Sequence, residues 1–420
     1  MSHVLHGVVI RETHAPRNLA CMTNLPVAPL VALAASAALY LLLIASFTIG
    51  FVRGRLRVRA RRAAAGASLR VSILKPLAGA EDELAANLRS FADLDHDDYE
   101  LVFGVSSLHD AAVPVARAFM AAHPRLPARL VVTDPHAALN PKVAQLVRLT
   151  EEARGEVLVV SDANVRVPRT YLRDLVAELL EPGVGLVTSV IVGSGERTLG
   201  AALENLQLLA HVAPGVVAGA TVSGRPISIG KSMAMRAADL ATIGGFASVG
   251  GVLAEDHVLA QRFDRAGFAV RLSLAPVENR NVDCTVRRSI ERHTRWGRMR
   301  RFIAPAGFAF ETLLSPIVTA TVVCLAFPSR AAAVTLLVGM ALQVLGASWF
   351  ALLLRGRVPL WLPPLEVARA YVLFGAWIGA VASRRVSWRG HAFALTTGSR
   401  LVPVGPSIVD RLRARLRVVG

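Results

Sequence analysis

The sequence predicts an α/β domain on a mostly parallel sheet, held to a membrane by helices at both ends. Three observations carry this prediction. Short β-branched runs alternate with helical stretches between Arg70 and Val160, the pattern of βαβ units. An uncharged run from residue 18 to residue 52 precedes them, and further uncharged runs follow Arg301. Mean hydropathy is +0.48 with 18% charged residues, where a soluble domain carries about 25%.

Composition narrows the classes further. The 420 residues are 53% hydrophobic, which excludes a disordered chain. Three cysteines, an odd number, make no disulfide framework. The net charge is +17, and Lys75, Lys142 and Lys231 are the only lysines. Such a preference for arginine suggests a GC-rich bacterial genome. The arginines flank apolar runs instead of interleaving with aromatics, so anionic lipid, not nucleic acid, explains the charge.

Residues 1–25 read as disordered or as a mis-called start, with Met22 the more natural beginning. Residues 26–52 form the first transmembrane anchor, long enough to cross the hydrocarbon core. Arg53, Arg55, Arg57, Arg59, Arg61 and Arg62 follow at once. The positive-inside rule places that end in the cytoplasm, and 53–69 reads as a basic linker. Between Arg53 and Arg301 no uncharged apolar run reads as long enough to span. Residues 302–383 then form the C-terminal membrane region. Thr312–Pro328 and Ala331–Leu354 read as a transmembrane hairpin. The third segment, charge-free only over Ala370–Ser383, suits a re-entrant helix as well as a span. Residues 384–420 form a basic tail. These features predict a multi-pass protein of the bacterial inner membrane.

Within 70–301, the strands are read at Arg70–Leu74, Tyr99–Val105, Ala128–Thr133 and Glu156–Val160. Helical spacing separates them at Glu81–Phe91, Val113–Met120 and Pro141–Ala153. Ligands of such sheets bind at the carboxyl ends of the strands. Three motifs stand there or beyond. Asp162 and Asn164 follow the fourth strand; they read as ligands of a divalent cation on a nucleotide diphosphate or as a turn cap. Asp256 opens a helix after a glycine-rich stretch; it reads as a general base or as an N-cap. Arg292, Arg295 and Trp296 lie in a stretch of seven arginines before the membrane region. They read as a pyrophosphate clamp or as a basic interfacial helix.

Together the motifs resemble the ceramide glucosyltransferase family, glycosyltransferase family 21, in its bacterial branch. The blocks that carry the resemblance include ILKPLAG from Ile73, NPKV from Asn140, SDANVRV from Ser161, GRPISIGKSMAMR from Gly224, LAEDHVL from Leu253 and RHTRW from Arg292. The resemblance implies a GT-A nucleotide-diphospho-sugar transferase domain and an inverting transfer at the cytoplasmic face. It implies a UDP-sugar donor, first of all UDP-glucose, and a membrane-lipid acceptor, first of all ceramide. Hopanoid or diacylglycerol acceptors and a non-catalytic lipid-binding member are the alternatives. Carried over, Asp162 is the metal- and nucleotide-binding carboxylate, with Mg²⁺ or Mn²⁺ as cofactor and Asn164 contributing. Asp256 is the general base, and Arg292, Arg295 and Trp296 form the clamp. The lysines all fall inside these blocks, which suggests roles for Lys75 and Lys142 at the substrate. The family's early Asp after the second strand is absent. Ser107 stands at its position and Asp110 at that of a later Asp, both candidates for the nucleotide.

Overall fold

The computed structural model describes residues 25–64, 69–224, 227–388 and 391–404. The expectations for residues 1–24, Met22 included, and for 405–420 fall outside it, as do the linker residues 65–68 and Arg389.

In chain order the elements are α1 (Val27–Ala64), β1 (Val71–Pro76), α2 (Leu84–Arg89), β2 (Tyr99–Val105), α3 (Ala112–Ala122), β3 (Ala128–Val132), α4 (Pro141–Glu152), β4 (Val157–Ser161), β5 (Val165–Arg166), α5 (Tyr171–Leu179) and β6 (Val184–Ser194). Then come α6 (Leu199–Gln207), a π-turn over Leu208–Val212, α7 (Ala213–Ser223), β7 (Ser232–Arg236), α8 (Ala237–Thr242), α9 (Glu255–Arg265), β8 (Ala269–Arg280) and α10 (Val286–Ile303). The chain closes with α11 (Pro305–Phe310), α12 (Pro316–Ala326), α13 (Arg330–Arg355), α14 (Leu362–Ala382), β9 (Arg385–Trp388), β10 (His391–Thr396) and β11 (Arg400–Pro403).

The main sheet has eight strands in the order β3-β2-β1-β4-β7-β6-β8-β5. Its β3-β2-β1-β4 half is parallel; β7 runs antiparallel to both neighbours. Every residue of β1, β2 and β4 is buried, as strands covered on both faces must be. Side chains alternate between two cores. Ile73, Phe103 and Val159 point into one, with the faces of α2, α3 and α5. Leu74, Val102 and Val160 point into the other, with α4, α8 and α9.

A third core joins the sheet to the membrane helices. Tyr40, Leu43, Phe47 and Phe51 of α1 meet Val190 and Val192 of β6, Leu206 and Val217 around the π-turn, and Phe350 of α13. The approach is close: a Cβ on Gly50 would lie 2.1 Å from the Thr221 hydroxyl. The stretch Arg53–Ala64, read as a linker, is a continuation of α1. Its charged end is tied down by Arg61, whose Nε lies 2.7 Å from Glu181 Oε1.

Among the described residues, four helices are long and apolar enough to cross a membrane: Val27–Arg61, Leu199–Ser223, Arg330–Arg355 and Leu362–Ala382. The second was missed in the sequence, because Glu204 and His211 interrupt its apolar pattern. The expected span Thr312–Pro328 is instead broken, with Pro305–Leu314 and Pro316–Ala326 bent by 72° at Ser315. The last segment, left open, is a helix of 21 residues. Its Glu366 and Arg369 are buried and paired to each other at 2.5 Å. Gln343 of α13 donates to Glu366 at 2.7 Å, and Arg369 donates to Gln207 of α6.

After α14 the chain returns to the sheet domain. The strands β9, β10 and β11 form a small antiparallel sheet, which packs Val386, Phe393, Leu395 and Leu401 on Leu253.

Candidate active site

The site lies where the turn after β4, the segment before β7 and the N-terminus of α9 converge. Three carboxylates and three lysines meet there. Lys142 Nζ lies 2.9 Å from Asp162 Oδ1 and 3.0 Å from Glu255 Oε1, and donates to the Gly230 carbonyl at 2.8 Å. Those three acceptors exhaust the donors of an ammonium. Lys142 therefore fastens the β4 turn to α9. It sits in the first turn of α4, the wrong end of a helix dipole for a cation, and the two carboxylates explain why it is there. Burial opposes its charge, but Asp162 and Glu255 hold its pKa above the ordinary lysine value. Asn140 caps that helix, accepting from the backbone N–H groups of Lys142 and Val143.

Lys75 is fully buried beneath the turn. It donates to the Asp162 carbonyl at 2.7 Å and to Ser161 Oγ at 3.2 Å, with its ammonium 4.1 Å from the Phe91 ring centre. Burial lowers its pKa to about 7. Expected at the substrate, it lies instead behind the turn that would meet one.

Lys231 Nζ lies 3.3 Å from Asp162 Oδ2 and 2.9 Å from Asn164 Oδ1. Both oxygens of Asp162 thus face ammonium groups. Burial pushes the Asp162 carboxyl up, but Lys142 and Lys231 prevail and hold it well below the ordinary aspartate range. Against the divalent ion expected here, this donor set does not fit. The oxygens of Asp162 and Asn164 are already ammonium acceptors, and Lys231 stands where the ion would stand. Among the described residues, no three His, Cys, Asp or Glu side chains converge as metal ligands.

Asp256 differs from its neighbour Glu255. Its Oδ2 accepts from the Gly230 N–H at 2.6 Å and its Oδ1 from the His257 N–H at 2.8 Å. It has no ion pair among the described residues, and burial raises its pKa. No side-chain cap bond is made by Ala254 at the start of α9. The residues before α9 are held from the C-terminal sheet. Leu253 N–H donates to the Ser399 carbonyl at 2.9 Å, and Ala254 N–H to Ser399 Oγ at 3.1 Å. Ser399 is fully buried and has φ of 57°, an uncommon conformation for a residue with a Cβ.

The arginine motif divides. Arg292 lies 2.9 Å from Glu204, which is 0% exposed, and 3.2 Å from Asn281 Oδ1. His293 Nε2 lies 3.1 Å from the second oxygen of Glu204. Arg292 is thus the partner of a buried carboxylate and not a free clamp. Trp296 packs on the core that contains Ala163 and Ile229. Arg295 is the one charged group of the motif with no hydrogen-bond or ion-pair partner among the described residues. Ser107 is exposed, its hydroxyl accepting only from the His109 N–H at 3.1 Å. Asp110 closes a loop, accepting from the Gly79 and Ala112 N–H groups, each at 2.8 Å.

The sheet order, the acidic turn after β4 and the carboxylate at α9 define a GT-A glycosyltransferase domain. A mannosyltransferase from Pyrobaculum calidifontis, solved with GDP-mannose and Mn²⁺, has this fold: TM-score 0.51, 20% identity, covering 84% of this chain and 98% of that one. The chain belongs to glycosyl transferase family 21, whose model matches residues 34–401. It is similar to ceramide glucosyltransferase 3 of Caenorhabditis elegans, 24% identical over 351 residues, 79% of this chain and 74% of that protein. Ceramide glucosyltransferase 1 of the same organism is 26% identical over 244 residues, 58% of this chain and 52% of its own length.

Proposed function

We propose that the protein transfers glucose from UDP-glucose to the primary hydroxyl of ceramide, with inversion, at the cytoplasmic face of a membrane. The observation that carries this reading is the placement of Asp256. It is a carboxylate that forms no direct ion pair among the described residues, 2.6 Å from the Gly230 N–H, in a domain whose core is continuous with apolar helices. Burial that raises its pKa makes it a better proton acceptor near neutral pH. In the reaction the acceptor hydroxyl loses its proton to Asp256 as its oxygen bonds the anomeric carbon. The bond from that carbon to the diphosphate breaks, and the electron pair leaves on the phosphate oxygen. Arg295 supplies a guanidinium for that oxygen's charge. The C. elegans relatives, by their names, support the sugar and the lipid. A divalent ion has no part in this reading.

The test is an assay of purified protein in lipid nanodiscs with labelled UDP-glucose, UDP-galactose and UDP-N-acetylglucosamine against ceramide, diacylglycerol and a hopanoid. Mass spectrometry reads the lipid. Glucosylceramide with the β configuration is the expected product; exclusive glycosylation of another lipid refutes the ceramide assignment.

A further inference from the structure

The three lysines of the site differ in what they have left to give. An ammonium carries three N–H donors. Lys142 spends all three, on Asp162, Glu255 and Gly230. Lys75 is sealed under the turn, against Asp162, Ser161 and Phe91. Lys231 spends two, on Asp162 Oδ2 and Asn164 Oδ1, and its side chain is 19% exposed. Among the described residues one N–H of Lys231 is therefore uncommitted, on the lysine of the three that solvent reaches most.

Its position is also singular. The ammonium bridges the very pair of oxygens that would hold a divalent ion. A metal at that point would have to expel Lys231 and would then lie beside Lys142, bound to the same carboxylate at 2.9 Å. Like charges at such range oppose each other strongly where water is scarce.

We propose that Lys231 is a catalytic residue of the transfer, its ammonium taking the post of the metal and donating its third N–H to the donor diphosphate. The inference rests on the proposed glycosyl transfer. In that step the bond between the anomeric carbon and the phosphate oxygen breaks as the bond to the acceptor oxygen forms. The electron pair passes to the departing nucleoside diphosphate, whose oxygen charge Lys231 meets with a hydrogen bond. The acceptor proton goes to Asp256. No ion enters or leaves. Asp162 and Asn164 act as positioning residues that aim the ammonium.

The experiment uses the full chain in nanodiscs, stripped of metal, with two readouts: UDP binding by calorimetry and sugar transfer to ceramide. With EDTA present, the wild-type protein is expected to bind UDP and transfer sugar within about twofold of its values in Mn²⁺. Lys231→Met is expected to weaken UDP binding about tenfold and to lower kcat by about 10²–10³, the usual loss for one donor to a developing oxyanion. Lys231→Arg, which keeps the charge, is expected to recover part of both. Thermal unfolding of each variant separates a lost contact from a lost fold. If UDP binding or transfer by the wild type requires Mn²⁺, or if a folded Lys231→Met variant binds and turns over normally, the proposal is overturned. Binding is read without any acceptor. Metal-free UDP binding that Lys231→Met weakens about tenfold therefore upholds the lysine site even if ceramide is not glucosylated, and that second result counts against the assigned function alone.

Discussion

Two adjacent carboxylates at the start of α9 have separate fates because of a single ammonium. Glu255 is tied to Lys142 at 3.0 Å, while Asp256 receives only backbone N–H groups. Asp256→Asn keeps those contacts in part and removes the proton acceptor. Turnover should fall about 10²–10⁴-fold with UDP affinity nearly unchanged, as steady-state kinetics and calorimetry will show. The same residue sets the acid limb of the rate profile. Below its pKa Asp256 is protonated and cannot accept, so kcat/KM should fall with falling pH. The midpoint should lie above the 3.8 of a free aspartate, because burial raises it. Ser107, exposed on the loop after β2, offers a neutral hydroxyl where the sequence resemblance implies a carboxylate. Charged hydrogen bonds contribute about 1.5–3 kcal/mol against about 1 for neutral ones. Ser107→Asp should then lower the KM for UDP-glucose several-fold and leave kcat nearly unchanged. If Asp110→Ala abolishes donor binding while Ser107→Asp does nothing, Asp110 is the nucleotide ligand.

At the scale of elements, α10 does two jobs with arginines one turn apart. Arg292→Ala leaves the fully buried Glu204 with His293 and the Ser289 hydroxyl and should cost about 3 kcal/mol of stability, the low end for breaking a buried pair. Arg295→Ala breaks no pair among the described residues. It should leave the melting temperature unchanged and raise the KM for UDP-glucose, so differential scanning of the two variants separates the roles. The small sheet β9–β11 acts on α9 from outside. Ser399→Ala removes the acceptor for the Ala254 N–H, and a buried donor left unpaired costs about 1–3 kcal/mol. Turnover should drop about tenfold through a displaced Asp256, with Ser399→Thr restoring most of it. The parallel strands were legible because β1, β2 and β4 are buried on both faces and read as short, mostly apolar runs between helical stretches. Asp162 and Asp256 were legible because each stands at an element's end. The link between them was not, since Lys142, Lys231 and Asp162 are far apart in sequence and meet only through the sheet. Arg292 misled for the same reason: its partner Glu204 lies on another helix.

Across the whole molecule, α1 predicts which side of the membrane the site faces. Arg53 to Arg61 occupy one end of a continuous helix whose other end is apolar, so the positive-inside rule applies to the sheet domain as well. Leu108, 55% exposed on the loop after β2, is a suitable reporter. In a Leu108→Cys variant, a membrane-impermeant maleimide should label permeabilised cells and spare intact ones. Labelling of intact cells would place the cleft outside, away from cytosolic nucleotide sugars. The charged pair of α14 bears on how such a chain is made. With mean hydropathy 1.4 against 2.4 for α1 and 2.0 for α13, α14 is a reluctant guest of the lipid. A charged side chain within a membrane helix is costly unless it is paired. Its relief comes from Gln343, one helix earlier, and from Gln207, which is in place only once the sheet domain has folded. Translation therefore delivers the last span into a cradle that earlier segments must already have built. The turn at Ser399 that holds the start of α9 is translated later still, so the residues around Asp256 gain that brace only after α14 has been made.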